Sequence, residues 1–143
     1  MASRFAARSV SLLKSLNIRY ILSVTLPEDF PKFNSQDKAE SSAGEFKDKL
    51  VMKHIDINDD PTEDILCHLQ DACDWIENSL LSKSKEVVND SAAPVGVLVH
   101  CTQGISRSGS IIVAYCRCGP TIFHHTVFYC STDPFSNHFK TLA

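Results

Sequence analysis

The stretch Val95-Gly96-Val97-Leu98-Val99-His100-Cys101-Thr102-Gln103-Gly104-Ile105-Ser106-Arg107-Ser108-Gly109-Ser110-Ile111-Ile112-Val113-Ala114-Tyr115 decides how this chain folds. A short valine-rich run after Pro94 reads as a buried strand, and the apolar segment that closes the stretch reads as helix. Between them lie a cysteine, an arginine six positions later, and small or neutral residues. A strand that feeds a tight loop opening a helix points backbone N–H groups at an anion. Cys101 then lies beneath the anion and Arg107 closes the ring.

The residue types suit that geometry. Free cysteine ionises near pH ~8.5, and loop N–H groups with a helix N-terminus lower that value. The same donors suit the equatorial oxygens of a phosphoryl group, where transition-state charge collects. Arg107 offers a planar fork to two of those oxygens, which a lysine point charge does not. Gly104 permits a positive φ in the loop. His100 is expected to hold the loop by a hydrogen bond. Ser108 can offer its hydroxyl to the departing sulfur. A cysteine-to-arginine spacing of six is weak by itself in a chain with six cysteines. The His before Cys101, Gly104 and the Ser-Arg-Ser ending make it specific.

The segment His100-Cys101-Thr102-Gln103-Gly104-Ile105-Ser106-Arg107-Ser108 resembles the signature loop of the dual-specificity protein phosphatases, within the cysteine-based protein tyrosine phosphatase superfamily. Leu12-Leu13-Lys14-Ser15-Leu16-Asn17-Ile18-Arg19-Tyr20-Ile21-Leu22-Ser23-Val24-Thr25 is similar to their first helix and following strand. The resemblance covers roughly residues 6–115. It implies hydrolysis of phosphotyrosine and phosphoserine or phosphothreonine through a phosphocysteine, with no metal or organic cofactor. Thr102, Gln103, Gly104, Ile105, Ser106 and Arg107 are the implied substrate-binding residues, and Cys101, Arg107, Asp59 and Ser108 the implied catalytic ones. Gln103 departs from the alanine common in the family, and a loop that binds through backbone N–H groups tolerates this. The variable loop positions hold no lysine, which favours a phosphoprotein substrate over phosphoinositides or RNA ends.

The reaction needs a proton donor for the leaving oxygen. Asp56, Asp59, Asp60, Glu63 and Asp64 are the nearby carboxylates. Asp60 is expected to cap a helix, which lowers its pKa and disfavours it as an acid. Asp59 takes the family's acid position when the helix is aligned through residues 69–76. Asp60 remains the second candidate.

Strands alternating with helices imply an α/β fold, with a mainly parallel central sheet and helices on both faces. Helix is expected over residues 9–17, strand over 19–25, loop over 27–44, strand over 50–57 and an exposed, mobile loop over 82–93. Asp60-Pro61-Thr62-Glu63 reads as a helix start. That helix runs to about Leu81, with Ile65, Leu69, Cys73, Ile76 and Leu80 on one stripe and Trp75 widening it. Cys67 and Cys73 are expected as small core residues.

The 143-residue length fits one domain, and 43% hydrophobic with 22% charged residues is ordinary for a globular chain. A net charge of −3 gives no sign of a nucleic-acid partner, and no apolar run is long enough for a membrane span. With no signal peptide visible, a reducing compartment, cytoplasmic or nuclear, is expected, along with a monomer and a phosphoprotein partner. The domain division is a catalytic core at 1–115, lacking the family's first strand, and an atypical tail at 116–143. That tail holds three of the six cysteines and three of the six histidines but only three charged residues. Cys118-Gly119-Pro120 should break the helix soon after Tyr115. The family's last helices are not legible beyond it, and a misread exon or shifted frame is the expected origin of the tail. The spacing of Cys116, Cys118, His124, His125 and Cys130 matches no compact zinc pattern. The alternative to an enzyme is a catalytically weak fragment or a phosphoprotein-binding module that retains the signature loop.

Overall fold

The computed structural model describes residues 2–33, 46, 49–81 and 95–118. The expected loop at 82–93, most of the 27–44 loop and the tail from 119 lie outside them. In chain order the elements are helices α1 (Arg4–Arg8) and α2 (Val10–Ser15), strand β1 (Ile18–Thr25), a 3-10 turn (Pro27–Asp29), strand β2 (Val51–Asp56), helix α3 (Leu66–Leu81), strand β3 (Gly96–His100) and helix α4 (Ser106–Cys118). The three strands form a parallel sheet in the order β2-β1-β3.

β1 is central, and its residues from Ile21 to Thr25 are all buried. Successive side chains point to opposite faces of a strand, so one strand feeds two cores. Leu22 and Val24 join Ile55, Val99, Ala72, Ile76, Ile111 and Tyr115 beneath α3 and α4. Ile21 joins Leu98, Ala7 and Leu13 beneath α1 and α2. Helices thus cover both faces, as parallel strands buried on each side require.

Ile76 on α3 and Ile111 and Tyr115 on α4 sit one helical turn apart along their stripes and meet over Leu22 and Val99. Ile65, Leu69, Cys73, Trp75 and Leu80 pack on the margin of that cluster, which is the stripe expected from the sequence. Cys67 is corrected: it is exposed, with its thiol donating to the Asp64 carbonyl at 3.0 Å.

Two helix boundaries also differ from expectation. The 9–17 helix ends at Ser15, because Asn17 adopts φ 49°, a left-handed conformation that stops a helix and that asparagine tolerates. Arg4–Arg8 is a further short helix that the sequence reading missed. The helix expected from Asp60 begins at Leu66 instead. Asp60 Oδ1 accepts both the N–H of Thr62 at 2.8 Å and its hydroxyl at 2.6 Å. These bonds close a local turn in place of a capping box. Asp64 then accepts the N–H of Leu66 at 3.0 Å, where the helix starts.

Register places one polar pair inside the α1/α2 face. Ser23 of β1 and His100 of β3 are Cα partners, and Ser23 Oγ lies 2.7 Å from His100 Nε2. His100 Nδ1 lies 3.3 Å from the Cys101 carbonyl, which can only accept. The neutral ring therefore donates from Nδ1 and accepts the Ser23 hydroxyl at Nε2. Burial holds the His100 pKa down to about 4.

Two outcomes follow from this packing. Ile76→Ala removes a buried side chain from the middle of the larger core and should cost about 2–5 kcal/mol in urea denaturation. His100 binds its proton less readily when folded (pKa about 4) than at the ordinary 6.5, so its contribution to stability is complete above pH 6.5. It is lost progressively between 6.5 and 4, reaching about 2 kcal/mol of loss at pH 5. Urea midpoints at pH 7.5 and pH 5 should show this step in the wild type and not in His100→Gln.

Candidate active site

The strands are parallel, so their C-terminal ends lie on one edge, the position where open α/β sheets place their sites. Three connections leave that edge: Pro27–Asp29 after β1, Ile57 to Asp59 after β2, and residues 101–105 between β3 and α4.

The β3–α4 turn wraps the Cys101 sulfur. Gly104 N–H donates to Sγ at 3.1 Å, and Ser108 Oγ lies 3.3 Å from it. The N–H groups of Ser108 and Ile105 add to the dipoles that favour its anion. Cys101 is 1% exposed, and burial alone pushes its thiol pKa up. The Ser108 hydroxyl and the N–H groups of Ser108, Gly104 and Ile105 outweigh burial, and the net shift is downward. These donors stabilise a negative charge on sulfur and have no comparable use for a neutral thiol.

Gly104 has φ 79°, as the turn demands. A Cβ there would lie 2.5 Å from the Ala2 carbonyl carbon and 2.7 Å from the Ser3 nitrogen. Residues 2–4 run across the turn: Cys101 N–H donates to the Ala2 carbonyl at 3.3 Å, and Arg4 N–H to the Thr102 carbonyl at 3.2 Å. Ala2 also forms a parallel bridge to His100. His100 fixes the turn from beneath through its bond to the Cys101 carbonyl, as expected.

Arg107 is 5% exposed and lies in the first turn of α4. Its Nη1 donates to the Ile57 carbonyl at 2.9 Å and its Nη2 to Thr102 Oγ1 at 3.0 Å. Among the described residues its Nε is buried without a partner. Asp59 Oδ2 stands 3.6 Å from Nη2, on a half-exposed side chain. Asp60 is turned to Thr62, whose hydroxyl and N–H hold its carboxyl below the ordinary carboxylate range. Of the two candidate acids, then, Asp59 is the one beside Arg107.

The remaining loop positions divide by exposure. Gln103, Ile105 and Ser106 face solvent, with Ile105 at 58%. Thr102 is partly buried, and its hydroxyl serves the protein interior by donating to Asp29 Oδ2 at 2.7 Å. Asp29 also accepts from Arg4 Nη1 at 2.7 Å. The sequence reading missed Asp29 and the Ile57 carbonyl. Their one signal is position, just beyond the C-terminal ends of β1 and β2.

The site geometry agrees with what comparison with known proteins finds. The family described as "Dual specificity phosphatase, catalytic domain" matches residues 2–118. A dual specificity protein phosphatase MPK-4 of Drosophila melanogaster is 35% identical over 113 residues, which are 77% of this chain and 23% of that protein. Dual specificity protein phosphatase 1B of Arabidopsis thaliana is 29% identical over 109 residues, 76% of this chain and 50% of its own length. The crystal structure of the Yvh1 phosphatase domain from Chaetomium thermophilum superposes with a TM-score of 0.56 at 32% identity, covering 80% of this chain and 58% of that one. The chain therefore spans a quarter to a half of these two relatives' lengths. Its parallel sheet, its Cys101-to-Arg107 turn and its match over residues 2–118 place it in one family: the chain belongs to the dual-specificity phosphatases.

Proposed function

We propose that the chain hydrolyses phosphate monoesters on protein side chains, phosphotyrosine together with phosphoserine and phosphothreonine, with Cys101 as nucleophile. The observation that carries this reading is the convergence of the Gly104 N–H and the Ser108 hydroxyl on one sulfur. A second supports it: a buried guanidinium nitrogen, Arg107 Nε, has no acceptor among the described residues. Buried donors are normally paired, so an unpaired one beside an anion cradle suits an oxyanion ligand.

The steps balance as follows. The Cys101 thiolate attacks phosphorus, an S–P bond forms, and the P–O bond to the side-chain oxygen breaks. Asp59 gives its proton to the leaving oxygen. A water molecule then attacks phosphorus, gives a proton to the Asp59 carboxylate, and the S–P bond breaks to release phosphate. Ser108 meets the returning negative charge on sulfur from 3.3 Å. Arg107 and the backbone N–H groups of Thr102 to Ser106 donate to the non-bridging oxygens of the phosphoryl group. Because Cys101 is 1% exposed, the phosphoryl group has to enter the turn itself.

That enclosure also favours a second reading. A turn closed on its sulfur, with both Arg107 Nη groups engaged, describes a module that holds a phosphoprotein with little turnover.

A chromogenic aryl phosphate distinguishes them. In the enzyme reading, the folded chain turns over and Cys101→Ser abolishes activity. Asp59→Asn should lower kcat by about 10²–10⁴-fold, the usual size of a general-acid effect. Cooperative melting with phosphopeptide binding but no turnover selects the module instead.

A further inference from the structure

One cluster of buried polar groups takes no part in the steps above. Asp29 is 9% exposed, and its two oxygens have separate partners: Oδ1 accepts from Arg4 and Oδ2 from the Thr102 hydroxyl, each at 2.7 Å. A hydroxyl has one proton to give. Thr102 gives it to Asp29, so its oxygen presents only lone pairs to Arg107, whose Nη2 donates at 3.0 Å. The Ile57 carbonyl holds Nη1 at 2.9 Å. A planar group held at two nitrogens has its plane fixed; of its five N–H groups, the one on Nε is buried and has no partner among the described residues. Arg4, not Arg107, is the charged group directly bonded to Asp29, so no carboxylate contact at Asp29 neutralises the guanidinium.

We propose that Asp29 acts through Thr102 as a positioning residue for Arg107, locking the guanidinium in the plane in which it meets a bound oxyanion. The role rests on the phosphatase reading for its chemistry, while its test uses binding as well as turnover. Burial by itself raises the Asp29 pKa, but the bonds from Thr102 and Arg4 overcome it and keep the group an acceptor. Without that acceptor, the Thr102 proton is free to turn toward Arg107, where it opposes the Nη2 donor. One of the two fixed points is then lost.

The sign of the effect separates this relay from simple charge. Asp29→Ala removes the acceptor together with a negative charge in the neighbourhood of an anion site, and Coulomb's law alone then predicts tighter oxyanion binding. The relay predicts weaker binding.

The experiment measures tungstate affinity by calorimetry and aryl phosphate turnover in the wild type, Asp29→Ala, Thr102→Val and Thr102→Ser. It also measures the pH profile of Cys101 alkylation by iodoacetamide. Misplacement of a positioned group costs up to about 10²-fold. The expected result is about tenfold weaker tungstate binding and about tenfold lower kcat/KM in Asp29→Ala and Thr102→Val. Thr102→Ser, which keeps the hydroxyl, should lie within about twofold of the wild type by the same scale. The alkylation profile of Thr102→Val should match the wild type, because Thr102 Oγ1 serves Arg107 and not the sulfur. An Asp29→Ala variant that melts cooperatively and binds tungstate as tightly as the wild type or tighter overturns the proposal; if it fails to melt cooperatively, the Thr102 pair decides by itself. An active wild type whose tungstate affinity is unchanged or tighter in Thr102→Val, or equally weakened in Thr102→Ser, overturns the proposal and leaves the phosphatase reading standing. A wild type that neither binds tungstate nor turns over overturns both.

Discussion

The structure depends on a contest at one atom. Enclosure of the Cys101 sulfur favours the neutral thiol, and the donors of the β3–α4 turn favour the anion; the donors prevail. They can do so only if the turn holds its shape without the anion. Gly104 supplies the left-handed residue, residues 2–4 lie directly against it, and His100 ties the turn to β1 through Ser23. A donor set fixed before the charge appears stabilises it without reorganising, which is what makes such cradles effective.

The charged groups around the turn are kept distinct by the edge of the sheet. Asp59 extends from the β2 end with its carboxylate half in solvent, within 3.6 Å of Arg107. Asp60, one residue on, is closed into its own turn by Thr62. Asp29, from the β1 end, is buried and paired with Arg4. Three carboxylates beyond the C-terminal ends of β1 and β2 thus occupy three environments, and of the three Asp59 combines a contact with Arg107 and access to solvent. Local hydrogen bonding, more than distance along the chain, separates these neighbours.

What was legible in the sequence was local. Cys101, Gly104, Arg107 and Ser108 lie within eight residues, and their types state the chemistry and the turn together. The core stripe of α3 was legible because helical spacing repeats. Asp29 was not, because its meaning comes from Thr102, 73 residues away, across a strand pairing that no local pattern reveals. The start of α3 was misplaced for a related reason: an aspartate before Pro-Thr-Glu suits a capping box and a closed turn equally, and the Thr62 hydroxyl decides between them. Cys67 was assigned to the core from its residue type, although its helical phase sets it off the buried positions Ala72, Ile76 and Ser79.

The parallel pairing of β1 with both neighbours has a consequence for the order of assembly. β1 meets β3 through Ile18↔Gly96 and Ser23↔His100, pairs separated by nearly eighty positions, and such long closures form slowly. Until they form, Ser23 does not hold His100, and the neighbours of Cys101 are unconstrained peptide. During synthesis and refolding the sulfur is then an ordinary thiol, mostly protonated at neutral pH and slow to react with peroxide. Whatever lowering of its pKa the turn donors bring about waits on the pairing of β1 with β3.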